Sequence, residues 1–379
     1  MTTFRLLVVL KVYVQIVLCL VLFYVLMNQF QRLRIINFSE MSYHPRLIGR
    51  VNQSSGRFWM EYYLQIIKQN EIKASNILSI NNRSCKRKFH TRMDDNMQTV
   101  LNYPVVRQMS KKFKDIFKFF KKPVVIGNEN FPVIVTAASS NHYRESLAMI
   151  NTLKKNILSR YTGIKLIFYD LGLTNYQKRE IQNVCSCEIR TFQFNKYPSF
   201  VRVLRNYSWK TLVIYTVLTE HNFVMWADAS VRFIGTKEAF DVFFKQVKEV
   251  GILLRIYKEK KGTATTFYRT KSETFQLLNE TSCMFDFGTA PSGFVTIWKT
   301  PFTWKYIIQP WLACALTEHC MSHYNPELVL SCKPRKEVVY HCHRFDQAVL
   351  EIILFRLFNV HYDLVNVNRL PKVIKIERL

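Results

Sequence analysis

From residue 132 onward, apolar runs alternate with amphipathic stretches. PVIVTAASS stays apolar through Val135 and ends in small residues, which predicts a buried strand; HYRESLAMINTLKKNI then sets Leu147, Ile150, Leu153 and Ile157 at helical spacing. IKLIFYDLGL predicts a second strand closing at Gly172, and Thr174 is placed to cap a helix over NYQKREIQNV. CEIRTFQF alternates as a third strand, SWKTLVIYTVLTEH reads as a helix, and NFVMWADASVRFIG as a strand broken by a polar turn. This order predicts an α/β fold with a largely parallel sheet. Such sheets bind ligands beyond the carboxyl ends of their strands, where Ala137 to Ser140 and Asp228 both fall.

A different pattern opens the chain. Leu6 to Met27 is a 22-residue apolar run interrupted only by Lys11 and Gln15, long enough to cross a bilayer of roughly 30 Å. It leads into NQFQRLRI rather than a small-residue cleavage site, which predicts an uncleaved signal anchor. The charges flanking the run orient it weakly, since Arg5 and Lys11 face Arg32 and Arg34. Sequons at Asn37, Asn52, Asn82, Asn206 and Asn279 point instead to a lumenal body, as do eight cysteines outside the run (Cys85, Cys185, Cys187, Cys283, Cys314, Cys320, Cys332 and Cys342). The expected organisation is a tail and anchor over residues 1–28, a stem over 29–130 and a folded domain over 131–379, in a single-pass type II protein of the Golgi or endoplasmic reticulum. Eight cysteines allow about 105 pairings, so connectivity stays open.

Charge narrows the partners. Lysine and arginine number 54 against 27 acids in 379 residues, a formal net charge of +27 that favours anionic ligands. A lumenal body meets little nucleic acid, which leaves nucleotides, phospholipids and sulfated glycans. Arg83 to Arg92 and Arg107 to Lys122 are basic; the latter, with seven Lys or Arg and only Asp115 as an acid, reads either as a contact strip for an anionic glycan or membrane or as a solvated stem segment or helix face. A hydrophobic content of 49% excludes a mainly disordered chain, and neither a P-loop nor a GxGxxG fingerprint is present, against ATPase and dehydrogenase readings. His341-Cys342-His343 has three ligand types in a row, but adjacent residues cannot all converge on one zinc ion, so a disulfide cysteine between two structural histidines is expected.

The residues that could carry chemistry are few. Asp228 in VMWADASVRF interrupts apolar strands, where a carboxylate is costly unless paired or bound to a cation. It reads either as a carboxylate paired with a charge or cation, or as a turn former bonding backbone amides. Asp346 stands at the start of a helix whose Val349, Leu350, Ile353, Leu354 and Leu357 make one apolar face, so it is either an N-cap or an active-site carboxylate. Asp170, ending the second predicted strand, could approach a nucleotide or form a turn. Trp209, Trp226, Trp298, Trp304 and Trp311 could stack on sugars or fill the core.

The ordered set TAASSNHYRESLAMINTL, IKLIFYDLGL, YPSFVRVLRNYSWKTLVIYTVL, VMWADASVRF, SGFVTIWK and HRFDQAVLEIIL resembles a nematode-expanded family of GT-A-like type II membrane proteins, and more distantly the family-8 glycosyltransferases. The resemblance covers about Pro132 to Leu379. It implies a GT-A-like, Rossmann-type mixed sheet flanked by helices, and transfer of a sugar from a nucleotide sugar to a glycan or glycoprotein acceptor. It further implies nucleotide-facing roles for Thr136, Ala137, Ala138 and Ser139, a diphosphate-metal role for Asp228 with Ser230, with Mn²⁺ as the ion, and active-site roles for Asp346 and Gln347. The family's Asp-x-Asp motif is here Asp228-Ala229-Ser230, one carboxylate short. That departure leaves a second expectation: a catalytically silent GT-A-like protein that binds anionic glycans or protein partners.

Overall fold

The computed structural model describes residue 85 and residues 89–90, 92–125, 127–257, 265–332 and 342–378. The predicted strands assemble as β1 (Val133–Ala138), β2 (Leu166–Asp170), β3 (Glu188–Thr191) and β4 (Phe223–Ala227), paired in parallel in the order β3-β2-β1-β4. Beyond β4 the sheet turns antiparallel. β7 (Phe294–Trp298) pairs with β4, and β6 (Ile252–Leu254) with β7, so the six-stranded sheet is mixed. A two-stranded ribbon of β5 (Val231–Phe233) and β8 (Ile374–Ile376) stands beside it.

Side chains alternate between the two faces of each strand, and both faces are covered. Ile134, Phe223, Met225 and Ala227 belong to one apolar cluster, with Ile150 and Leu153 of α3 (Tyr143–Leu153) and Phe240 and Phe243 of α6 (Lys237–Val250). Val133, Val135, Val224 and Trp226 belong to the other, with α5 (Ser208–Glu220), α7 (Gln309–Ala315) and α8 (Phe345–Phe358). Between β2 and β3, α4 (Asn175–Val184) starts with a capping box in which the Gln177 backbone N–H donates to Thr174 Oγ1 at 3.2 Å and Thr174 N–H to Gln177 Oε1 at 3.0 Å.

Three features depart from the sequence reading. The first is α8, which is buried all round rather than along one face: Glu351 and Arg356 are as enclosed as its leucines, and each has polar partners. Its N-cap is Arg344, so Asp346 lies within the first turn and does not cap the helix. The second concerns residues expected in the stem. Helix α1 (Met93–Leu101) packs on α8 and α2 (Pro104–Lys112) on α7, while Tyr103 Oη–H donates to Glu280 at 2.7 Å and Cys85 is bridged to Cys283. These residues share the core of the α/β body. The third is the sequon at Asn206, which a glycan needs exposed: the residue is 1% exposed, its Oδ1 accepting the His323 N–H at 3.0 Å.

The remaining cysteines pair as Cys185–Cys187, Cys314–Cys320 and Cys332–Cys342. His343 is buried and its Nε2 lies 3.0 Å from the Met321 carbonyl, so it faces backbone. Among the described residues no helix is long and apolar enough to cross a membrane. The predicted anchor, Leu6 to Met27, lies outside the described residues, as do the sequons at Asn37, Asn52 and Asn82 and the residue His341.

Candidate functional site

The sheet extends from β1 to β2 and β3 on one side, and to β4 on the other. The strand order reverses between β1 and β4, and such a junction leaves a crevice at the carboxyl ends of the two strands. A cavity of about 210 Å³ lies there. Ala137, Ala138 and Ser139 line it from the end of β1, and Asp228, Ala229 and Ser230 from the end of β4. The small β1 residues leave room that larger side chains would fill. Tyr207 and Trp209 form another wall, and Arg205 and Arg378 bring positive charge to it.

Beneath this cavity lies the polar centre of the molecule. Lys210 sits on α5, a helix buried on every side, and is itself only 2% exposed. Its Nζ is 3.1 Å from Asp228 Oδ1 and 3.1 Å from Asp346 Oδ2. The ammonium also lies 3.4 Å from the carbonyl and Oγ of Ser292. Asp346 Oδ2 accepts the Ser292 hydroxyl at 2.5 Å, and Asp228 Oδ1 accepts Trp226 Nε1–H at 2.7 Å. Burial alone would drive the lysine neutral, but the two carboxylates outweigh it and hold its pKa above the ordinary lysine value. Burial pushes the Asp346 carboxyl up, against the pull of the Lys210 charge and the Ser292 hydroxyl.

The local backbone is shaped around this pair. Tyr207, just before α5, has φ 54°, and Phe345, just before Asp346, has φ 45°; their rings lie 5.7 Å apart. Each such conformation costs on the order of 1–3 kcal/mol in a bulky residue. Gly293 follows Ser292 and meets Asp228 closely: a Cβ there would lie 3.0 Å from Asp228 Oδ2. Asp228 keeps one side open, with 34% of its side chain exposed.

The other expected site residues lie apart from this group. Thr136 is fully buried within β1 and is not among the residues lining the cavity. Asp170 makes a turn, its Oδ1 accepting the N–H groups of Gly172 at 2.9 Å and Leu173 at 2.8 Å, where Gly172 takes φ 127°. Gln347 Nε2–H donates to Glu351 Oε1 at 2.8 Å on α8, away from the cavity lining. Among the described tryptophans only Trp209 lines the cavity, and its indole N–H is committed to the Leu204 carbonyl at 2.8 Å. Trp226, Trp298, Trp304 and Trp311 are buried in the core.

The Mn²⁺ site expected at Asp228 and Ser230 does not fit these residues. Asp228 Oδ1 is already shared by a protonated lysine and an indole N–H, and a divalent ion beside that ammonium would be repelled. Among the described residues, no group of three His, Cys, Asp or Glu side chains could hold a metal ion.

Sequence reasoning missed Lys210 and Ser292. The signal for Lys210 was present: it is the one charge within the otherwise uncharged stretch SWKTLVIYTVLT, a position that demands a partner. Nothing comparable marks Ser292 or Arg378.

Residues 80–215 match a family described as a protein of unknown function, DUF1647. No curated protein matches the chain. Similar solved structures include the apo WbbM bifunctional glycosyltransferase, at 11% identity and TM-score 0.32 over 50% of this chain and 36% of that one. They also include core-mannan synthase A from Aspergillus fumigatus in its Mn/GDP form, at 8% identity and TM-score 0.35 over 62% and 72%. A third is mouse xyloside xylosyltransferase 1 in its apo form, at 8% identity and TM-score 0.36 over 59% and 81%. The chain thus spans about a third of the first of these proteins.

Proposed function

We propose that this chain is a glycosyltransferase that moves a sugar from a nucleotide-sugar donor to a hydroxyl of a glycan or protein acceptor. The observation that carries the reading is the cavity at the switch point of the sheet, floored by a carboxylate whose position is fixed from below by Lys210. Small residues at the end of β1 give a nucleotide room, and Arg205 and Arg378 supply charge for its phosphates. As the bond from the sugar to the diphosphate breaks, positive charge grows on the anomeric carbon, and Asp228 offers fixed negative charge on the cavity side. Asp346 acts from behind, as a positioning residue for Lys210 and through it for Asp228. The ordered motifs from Pro132 onward, which resemble GT-A-like proteins, support the same reading. With the predicted anchor, sequons and paired cysteines, the reading places the enzyme on a Golgi or endoplasmic-reticulum membrane with its body in the lumen.

The test is a panel of nucleotide sugars, with binding followed by calorimetry and sugar release by chromatography, comparing the wild type with Asp228→Asn. Binding and slow hydrolysis of at least one donor are expected, with hydrolysis reduced at least tenfold in the variant. Failure of every donor to bind removes the enzymatic reading.

One observation favours a second reading, that of a silent protein which binds anionic glycans. A groove of about 780 Å³ is lined by Arg107, Lys111, Lys114, Lys118, Lys121 and Lys305, with Asp115 as its acid. Salt-sensitive retention on heparin, lost when Lys111, Lys114 and Lys118 are changed to Gln, together with no donor binding, would select this reading.

A further inference from the structure

We propose that the donor site works without a divalent cation: Lys210 fills the counter-ion position between Asp228 and Asp346, and Arg378 with Arg205 meets the charge of a nucleoside diphosphate. The inference rests on the donor-site reading given above and goes beyond it in naming what balances the phosphates.

The cluster beneath the cavity is already charge-compensated from within. Two carboxylate oxygens that could have faced one metal ion both face one ammonium, each at 3.1 Å. That ammonium is enclosed by protein and lies outside the cavity lining, so it cannot reach across to a ligand's phosphates as a bridging ion would. A diphosphate carries several negative charges, and the cavity wall must supply the opposite sign from elsewhere.

Arg378 is positioned for this by the β5–β8 ribbon. Val231 pairs with Ile376, and the Glu377 N–H donates to the Ser230 carbonyl at 2.8 Å, so the ladder runs back along the loop that carries Asp228. The next residue, Arg378, therefore lines the same cavity as Asp228 and Ser230. Its positive charge is felt at both Tyr207 and Arg344. Arg205 lines the cavity from the segment before α5 and is tethered by an exposed ion pair with Glu327, which a phosphate can displace at little cost. Guanidinium groups suit the task, because their forked donors match phosphate oxygens in pairs.

The experiment titrates UDP and GDP into the full-length chain by calorimetry, in EDTA and again in Mn²⁺, for the wild type, Arg378→Ala and Arg378→Lys. The expected result is an affinity that changes less than twofold between the two buffers. Arg378→Ala should weaken binding at least tenfold in both, with partial recovery in Arg378→Lys. Arg378 is exposed, so these variants should fold. Paramagnetic resonance of added Mn²⁺ gives a readout without nucleotide: the wild type and Asp228→Asn should bind Mn²⁺ equally little. A nucleotide affinity that falls tenfold in EDTA, a Mn²⁺ signal lost in Asp228→Asn, or an Arg378→Ala that binds as the wild type would each overturn the inference while leaving a donor site in place. Absence of nucleotide binding in every buffer overturns both this inference and the donor site itself.

Discussion

Lys210 Nζ stands 3.1 Å from Asp346 Oδ2, in an interior where both side chains are at most 5% exposed. The two residues come from different helices, α5 and α8, and their contact ties the layer beneath the sheet to the floor of the cavity. A buried ion pair of this kind is unforgiving, because removing one partner leaves the other desolvated and uncompensated.

Lys210→Met should therefore lower stability by about 3–5 kcal/mol, with Asp346→Asn costing less because it keeps a partner in Ser292. The double variant should lose less than the sum, with a coupling of about 1–3 kcal/mol in denaturant unfolding. Strict additivity would mean that the two residues do not interact in solution.

Tyr103 tests whether the segment before Pro132 belongs to the body. Its hydroxyl donates to Glu280, which is also held by Arg356 of α8. Tyr103→Phe deletes only that hydrogen bond and should cost about 1.5–3 kcal/mol, as for other bonds to a charged group. A change in unfolding free energy below about 0.5 kcal/mol, typical of a surface position, would contradict the packing of α1 and α2 on the core.

Acid should destabilise the protein through His343. Burial, assisted by the nearby Lys271 charge, holds its pKa well below the ordinary value, so the folded state keeps it neutral. The unfolded chain takes up that proton below about pH 6.5, and stability then falls by up to about 1.4 kcal/mol per pH unit until the folded-state pKa is reached. His343→Gln, which can still donate toward the Met321 carbonyl, should flatten that part of the stability curve. Parallel curves for the two proteins between about pH 6.5 and 5 would refute the assignment.

The two described sequons should behave differently if the body is lumenal. Asn279 is exposed, whereas Asn206 is buried and bonded to His323. Asn279→Gln should abolish part of the mass shift on endoglycosidase treatment, and Asn206→Gln should leave the shift unchanged. Loss of mass with Asn206→Gln would show that this segment is modified before it folds. A wild type that shows no shift at all would argue against a lumenal body.

The sequence by itself determined the alternation of strands and helices after Pro132, the cap at Thr174 and the break in the strand at Asp228. These are local matters: apolar periodicity and capping chemistry act over a few residues, so they are written in consecutive letters. The even set of cysteines was visible too, but which of them pair depends on how distant segments meet. The same limit applies to the site. That Asp228 needs a partner follows from its apolar surroundings, yet Ala229 and Ser230 beside it gave no hint that the partner is Lys210 on a neighbouring helix. Asp346 reads from the sequence as either a helix cap or an active-site carboxylate, because only its own helix is in view. Tertiary packing decided against the cap, since burying α8 on all sides leaves its carboxylate no water to face and makes the ammonium of α5 its compensating charge. That Asp228 meets Lys210 is the work of the same packing, which joins residues that the chain order keeps apart.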